Sequence, residues 1–172
     1  MRANLNLLGK LETSATARGC QEVFAYWSSL RVGGRLPART QVDPIALKRL
    51  LPTISLIDVQ APLDGAAPTY RQRLAGTGLY PIYGREITGR PIEDIYAEKE
   101  LAYWREQLDQ VVQTARPAVG CHTVTSRQGS ASSLLWIRLP LAADGLRVDM
   151  VLGYDVVIGA PVMRLATGIR AA

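Results

Sequence analysis

The run from Tyr70 to Gly89, YRQRLAGTGLYPIYGREITG, restricts the fold more than any other stretch of this chain. It opens as a strand, breaks at glycines, and continues as a short aromatic helix. It closes in a polar turn bracketed by Gly84 and Gly89, two residues free to take backbone angles closed to others. Upstream, Thr53 to Gln60 (TISLIDVQ) reads as a second strand, and APLDGAAP with Asp64-Gly65 reads as the turn between them. Two strands joined this way predict an antiparallel hairpin.

Beyond the polar turn, residues 98–115 form the longest helical pattern. Leu101, Trp104, Leu108, Val111 or Val112, and Ala115 recur on one face. Glu98 and Glu100 suit the positive end of the helix dipole, and Arg116-Pro117 closes the segment. Three strands follow: Ala118 to Ser126, Ser133 to Leu139 and Arg147 to Ile158. Their turns carry Gln128-Gly129-Ser130 and Asp144-Gly145, so they predict an antiparallel meander. In the last strand Val148, Met150, Leu152, Tyr154, Val156 and Ile158 alternate with Asp149, Val151, Gly153, Asp155 and Val157. The first set is expected to face the core. The second, mixed set is expected to be covered in part by the N-terminal helix or a partner.

That N-terminal helix is predicted over residues 13–31, capped by Thr13 or Ser14 and ended by Gly33-Gly34. Ala17, Cys20, Val23, Phe24, Trp27 and Leu30 share one apolar face. It can cover the chain's own sheet or meet a second copy. The expectation is a homodimer or partner face built on Val23, Phe24 and Trp27. Asp43-Pro44 starts a second, short helix to Leu51, which Pro52 stops. The domain reading is a helical extension over 1–53, a core over 54–158 and a tail over 159–172.

The chain has 172 residues, 48% apolar and 20% charged, which fits one soluble globular domain. No apolar run reaches the roughly 20 residues of a membrane span, and Asn6, Gly9 and Lys10 interrupt the only early apolar patch. The cytoplasm is therefore the expected location. A net charge of +5 comes mainly from arginines scattered between Arg2 and Arg170, without the stripe expected of a nucleic-acid binder. Two distant cysteines, Cys20 and Cys121, give neither a metal spacing nor a disulfide framework.

The overall class is α+β, an antiparallel sheet with helices flanking it. Within it, Tyr26-Trp27, Leu36-Pro37-Ala38-Arg39, Asp43-Pro44, Leu50-Leu51-Pro52 and Asp58 follow one another in order. Arg71, Arg73-Leu74-Ala75-Gly76-Thr77 and Gly84-Arg85-Glu86-Ile87-Thr88-Gly89 complete the series. This pattern resembles the short bacterial PAS-domain family, most strongly from about residue 22 to 95. The resemblance implies a PAS-like five-stranded antiparallel sheet in the order 2-1-5-4-3. It also implies a small cavity under the flanking helices, and a stand-alone sensor or adaptor that acts through another signalling protein.

Under that resemblance, Tyr80, Tyr83, Trp104, Leu108, Met150 and Tyr154 are the expected ligand-lining residues, with no cofactor identified. Arg39, Arg71 and Arg73 are motif arginines that could grip an anion or pair with acids such as Asp58. Arg85 is expected to pair with Glu86 at the surface. His122, the only histidine, is weighed as a haem ligand, but residues 98–115 carry none, and a hydrogen-bonded place on the sheet is expected. Neither cysteine lies in the NCRF-like helix that light-sensing flavin adducts use. Two alternatives stand beside the sensor. One is a small α+β-barrel enzyme moving protons with Asp58, Asp149, Asp155 or His122. The other is a purely structural dimerisation module.

Overall fold

The computed structural model describes residues 15–60, 66–125 and 131–159. The hairpin and meander predicted from sequence join into one five-stranded antiparallel sheet in the order β2-β1-β5-β4-β3. The strands are β1 (Ile54–Gln60), β2 (Thr69–Ala75), β3 (Ala118–Thr125), β4 (Ala131–Leu141) and β5 (Met150–Gly159). The helices are α1 (Ala15–Ser29), α2 (Tyr80–Tyr83), α3 (Ile92–Ile95) and α4 (Glu98–Thr114). The expected turns at 61–65 and 126–130, the caps Thr13 and Ser14, and the tail beyond Gly159 lie outside the described residues.

Register sorts the sheet into two faces, because neighbours on a strand point to opposite sides and cross-strand partners to the same side. On one face Tyr154 pairs with Ile137, Leu152 with Leu139 and Met150 with Leu141. On the other, Asp155 pairs with Trp136 and Gly153 with Arg138. Helix α1 covers the first face. Its Cys20, Val23 and Trp27, at helical spacing, are all buried, and the helix contacts β4 and β5. The Trp27 Nε1–H donates to the Pro140 carbonyl at 2.8 Å. Gly19 lets α1 approach so closely that a Cβ there would strike the Tyr154 hydroxyl. Helix α4 covers the second face through β3 and β4, with Trp104, Leu108 and Val111 turned inward.

This corrects two sequence expectations. The mixed face of β5 lies under α4, and the face of Met150 and Tyr154 lies under the N-terminal helix. Val23 and Trp27 are directed into the chain's own core, with Phe24 partly buried beside them, so the apolar stripe expected to meet a partner is already covered by the sheet.

Residues 44–50 wind as consecutive turns and not as the predicted helix. Most of their backbone bonds reach three residues back, as from Leu47 to Pro44 and from Leu50 to Leu47. Asp43 does start them, its Oδ1 accepting the Ile45 amide at 2.8 Å. The GREITG segment lies along the open edge of β2. Gln72 donates its amide to the Arg90 carbonyl at 2.8 Å, and Gly89 donates back to the Gln72 carbonyl at 2.5 Å. Gly84 and Gly89, at φ 67° and 77°, hold the positive backbone angles that bracket this segment.

Candidate functional site

The α4-covered face carries a buried charge pair inside a shell of aromatic rings. Arg138, in the middle of β4, and Asp155, on β5, are each 1% exposed. Arg138 Nη2 donates to Asp155 Oδ1 at 2.8 Å, and Nη1 donates to the Ile137 carbonyl at 3.0 Å. The guanidinium also lies over the Trp104 ring at 4.7 Å and over the Trp136 ring at 5.6 Å, close enough for cation–π attraction. Missing side chains make room for this. A Cβ on Gly153 would strike Ser55 Oγ and come within 3.1 Å of Arg138 Nη1. One on Gly120 would come within 2.6 Å of the Trp136 ring.

The rings form a continuous cluster. Tyr96 stacks on Trp104 at 5.5 Å, and Trp104 meets Trp136 edge-on at 5.5 Å. Tyr83 meets Tyr96 edge-on, and their hydroxyls are 3.4 Å apart. Trp136 Nε1–H donates to the Tyr103 hydroxyl at 3.0 Å. Two buried donors in the cluster, Arg138 Nε and Trp104 Nε1, have no acceptor among the described residues. Buried donors are normally paired, because leaving one unmade costs about 1–3 kcal/mol.

Burial also sets the proton affinities. It pushes the Asp155 carboxyl above its usual range, with Arg138 pulling it back in part. Burial opposes the Arg138 charge too, but Asp155, Tyr83 and Tyr96 together outweigh that and hold the guanidinium protonated. Burial pushes the Tyr96 phenol up to about 12. It lowers His122, with Glu100 opposing the shift. His122 lies on β3, as expected, where it stacks flat on Tyr103 at 4.0 Å, and its Nε2 has no hydrogen-bond partner among the described residues.

The six expected ligand-lining residues therefore divide three ways. Tyr83, Trp104 and Leu108 lie with α4 and its neighbours, Met150 and Tyr154 lie on the far face of the sheet, and Tyr80 is 55% exposed. The sequence reading did not single out Arg138, Trp136, Tyr96 or Tyr103. Its one available signal was an arginine set inside LLWIRLPL, where every neighbour is apolar.

The motif arginines take structural places. Arg39 donates to the Val42 carbonyl at 3.3 Å, Arg71 to the Gly89 carbonyl at 2.7 Å, and Arg73 faces Asp58 at 3.6 Å. Arg85 binds the Asp94 and Ile95 carbonyls at the end of α3, not Glu86. Cys20 sits on α1, and Cys121 shares the face of Leu135, so neither thiol faces the Arg138 cluster. Among the described residues there is no group of three or more His, Cys, Asp or Glu side chains placed to hold a metal. No helix among them is long and apolar enough to cross a membrane.

A five-stranded sheet in this order, with short helices and one long helix over one face, defines a sensory or signalling module of the PAS class. Residues 15–155 match the family described as PAS domain, and the chain belongs to it. Solved structures resemble this chain at low identity. The RsLOV D109G structure is 15% identical with a TM-score of 0.48, over 67% of this chain and 65% of its own. An RNA-binding Light-Oxygen-Voltage receptor is 19% identical with a TM-score of 0.50, over 75% of this chain and 37% of its own. A PAS domain from Colwellia psychrerythraea is 12% identical with a TM-score of 0.48, over 67% of this chain and 98% of its own. This chain thus spans less than two thirds of the first two structures. No curated protein is matched by the sequence.

Proposed function

We propose that this PAS domain is a non-catalytic cytoplasmic sensor that binds a small ligand on the α4-covered face and passes the change to a partner protein. The observation that carries the reading is the pair of orphaned buried donors, Arg138 Nε and Trp104 Nε1, in one aromatic cluster. The described residues leave both unpaired, and a bound molecule with acceptor atoms would complete them. A native mass spectrum of the purified chain, set beside a denatured one, tests this. Extra mass that is lost on denaturation, and absent from Arg138→Met, is the expected result. A bare mass would overturn the ligand reading and leave an adaptor that works through its surface.

The catalytic alternative has one observation in its favour, the Asp155 carboxyl raised by burial. Its Oδ1 is bound to Arg138, however, and that bond holds the carboxylate in place as a structural partner. A proton-transfer role would require Asp155 to exchange protons with a substrate. Titration of Asp155 by carboxyl NMR, unchanged by every compound that binds, would rule against it.

A further inference from the structure

We infer that the end of the molecule where the segment after α1 meets the β4–β5 turn is a docking surface for another protein. It takes a segment bearing an apolar side chain flanked by carboxylates. This rests on the partner part of the reading above and not on its ligand. Charge is the first support. Residues 1–53 hold eight lysines and arginines against three acids, and the other 119 residues hold twelve of each. The whole net charge of +5 therefore belongs to the N-terminal segment. Arg31, Arg35, Arg39, Lys48 and Arg49 fall within 31–49, where Asp43 is the only acid.

The fold gathers part of that charge around a groove. Leu36 donates its amide to the Gly145 carbonyl at 3.0 Å, and Ala142 donates to that of Pro37 at 3.0 Å, so the two segments are stitched together. Residues of both line a groove of about 260 Å³, among them Leu30, Val32, Leu36, Ala142, Arg35 and Asp144. Val32 is exposed, and so is Leu146 beside the lining Gly145. Arg31, Arg35 and Arg147 are exposed as well. Arg31 donates to the Gly34 carbonyl at 3.0 Å, and Arg35 reaches the Asp144 carbonyl at 3.5 Å. None of the three meets a carboxylate among the described residues. The acids of the turn are engaged by backbone. Asp144 Oδ1 accepts the Leu146 and Arg147 amides and Asp149 Oδ2 the Ala143 amide, each at 2.8 Å. The charge left open is positive, and a carboxylate matches the forked donors of a guanidinium. An apolar side chain in the groove supplies the buried anchor on which such an interface depends.

Other occupants fit less well. A nucleic acid brings phosphates and no aliphatic side chain for the groove. A bilayer surface is flat, whereas this apolar lining is concave and includes Asp144. A second copy does offer acid, because residues 92–114, over α3 and α4, hold six acids against two basic residues. Each copy carries +5, however, and that charge opposes self-association.

The test uses the whole chain labelled with nitrogen-15 and a capped hexapeptide, two leucines between two pairs of glutamates. The peptide is expected to move the backbone signals of Leu36, Ala142 and Gly145 and to leave the Trp104 indole signal in place. Replacing its leucines with serines should weaken binding about tenfold, a difference of about 1.4 kcal/mol. Replacing its glutamates with lysines should abolish binding. Arg35→Glu with Arg147→Glu should abolish it too, and both side chains are exposed, so the rest of the spectrum should hold. Arg147→Gln alone is the milder variant. It should weaken the peptide about threefold, as for one exposed ion pair, even if the double variant does not fold. Leu36 and Gly145 signals that stay still at millimolar peptide would overturn the proposal. So would equal binding of the serine peptide, or tighter binding to phosphatidylserine vesicles or single-stranded RNA than to the leucine peptide. Sedimentation of the chain as a dimer, lost in Arg35→Glu, would assign the surface to a second copy instead. Peptide shifts confined to another surface would overturn this docking site and leave the partner reading standing, while the native mass reports on the ligand separately.

Discussion

The two faces of the sheet are each covered by one long helix, yet they are built from opposite chemistry. Under α1 lie Ile137, Leu139, Leu152 and Tyr154, met by Cys20, Val23 and Trp27, and the main polar contact is one indole bonded to a backbone carbonyl. Under α4 lie Arg138 and Asp155, ringed by Trp104, Trp136 and Tyr96. The first face is stabilised by apolar area removed from water, which tolerates small errors of position. The second depends on pairing, and a buried pair fails sharply when one member is removed. A domain that must hold its shape and also respond to something would place these two demands on different sides of one sheet.

The sharpest way to break that contrast is Asp155→Ala. It strands the Arg138 charge in a dry site and should destabilise the chain by about 3–5 kcal/mol in urea unfolding. Replacing both members with apolar residues, Arg138→Met with Asp155→Leu, should recover most of that loss. If the double variant is no better than the single one, pairing is not what governs this face. Gly153→Ala comes next. The added methyl must push against Ser55 and Arg138, so a loss of roughly 1–3 kcal/mol is expected from overpacking. On the other face, Trp27→Phe removes the bond to Pro140 and leaves its carbonyl without that donor. About 1–3 kcal/mol is expected, with the Trp104 and Trp136 indole signals unmoved.

The smallest effect concerns pH. Burial holds the folded-state His122 below its ordinary value of 6.5. Its contribution to stability is therefore complete above that value and is lost as the pH falls through the lowered folded-state value. Thermal unfolding followed from pH 7.5 downward should show the decline, and His122→Phe, which keeps a ring against Tyr103, should flatten it. An unchanged slope in that variant would mean another group controls the acid limb.

Much of this architecture was legible in the sequence. Helix α4 and the three-strand meander followed from periods of 3.6 and 2, and the motif series supplied the strand order. Periodicity separates the residues of β5 into two sets but does not say which helix lies over which set. Only the cross-strand register does that, and it moved Met150 and Tyr154 away from Trp104. Arg138 was hidden for a related reason. β4 is buried on both sides, so LLWIRLPL shows no alternation in which one charged residue would stand out as inward. The turns at 44–50 were misread as a helix because Asp43-Pro44 starts either structure equally well.

The strand order also governs how the chain comes together as it is made. β1 and β2 form a local hairpin, and β3, β4 and β5 form a local meander, but β1 is joined to β5, so Leu56 pairs with Leu152. A ribosome delivers the first of these partners long before the second. Until β5 emerges, β1 presents one unpaired edge, and Leu56 and Ile57 lack the neighbours that bury them. GREITG already guards the opposite flank of the hairpin, along β2. Closing the central seam brings together segments from opposite ends of the fold, the kind of long-range pairing that forms slowly.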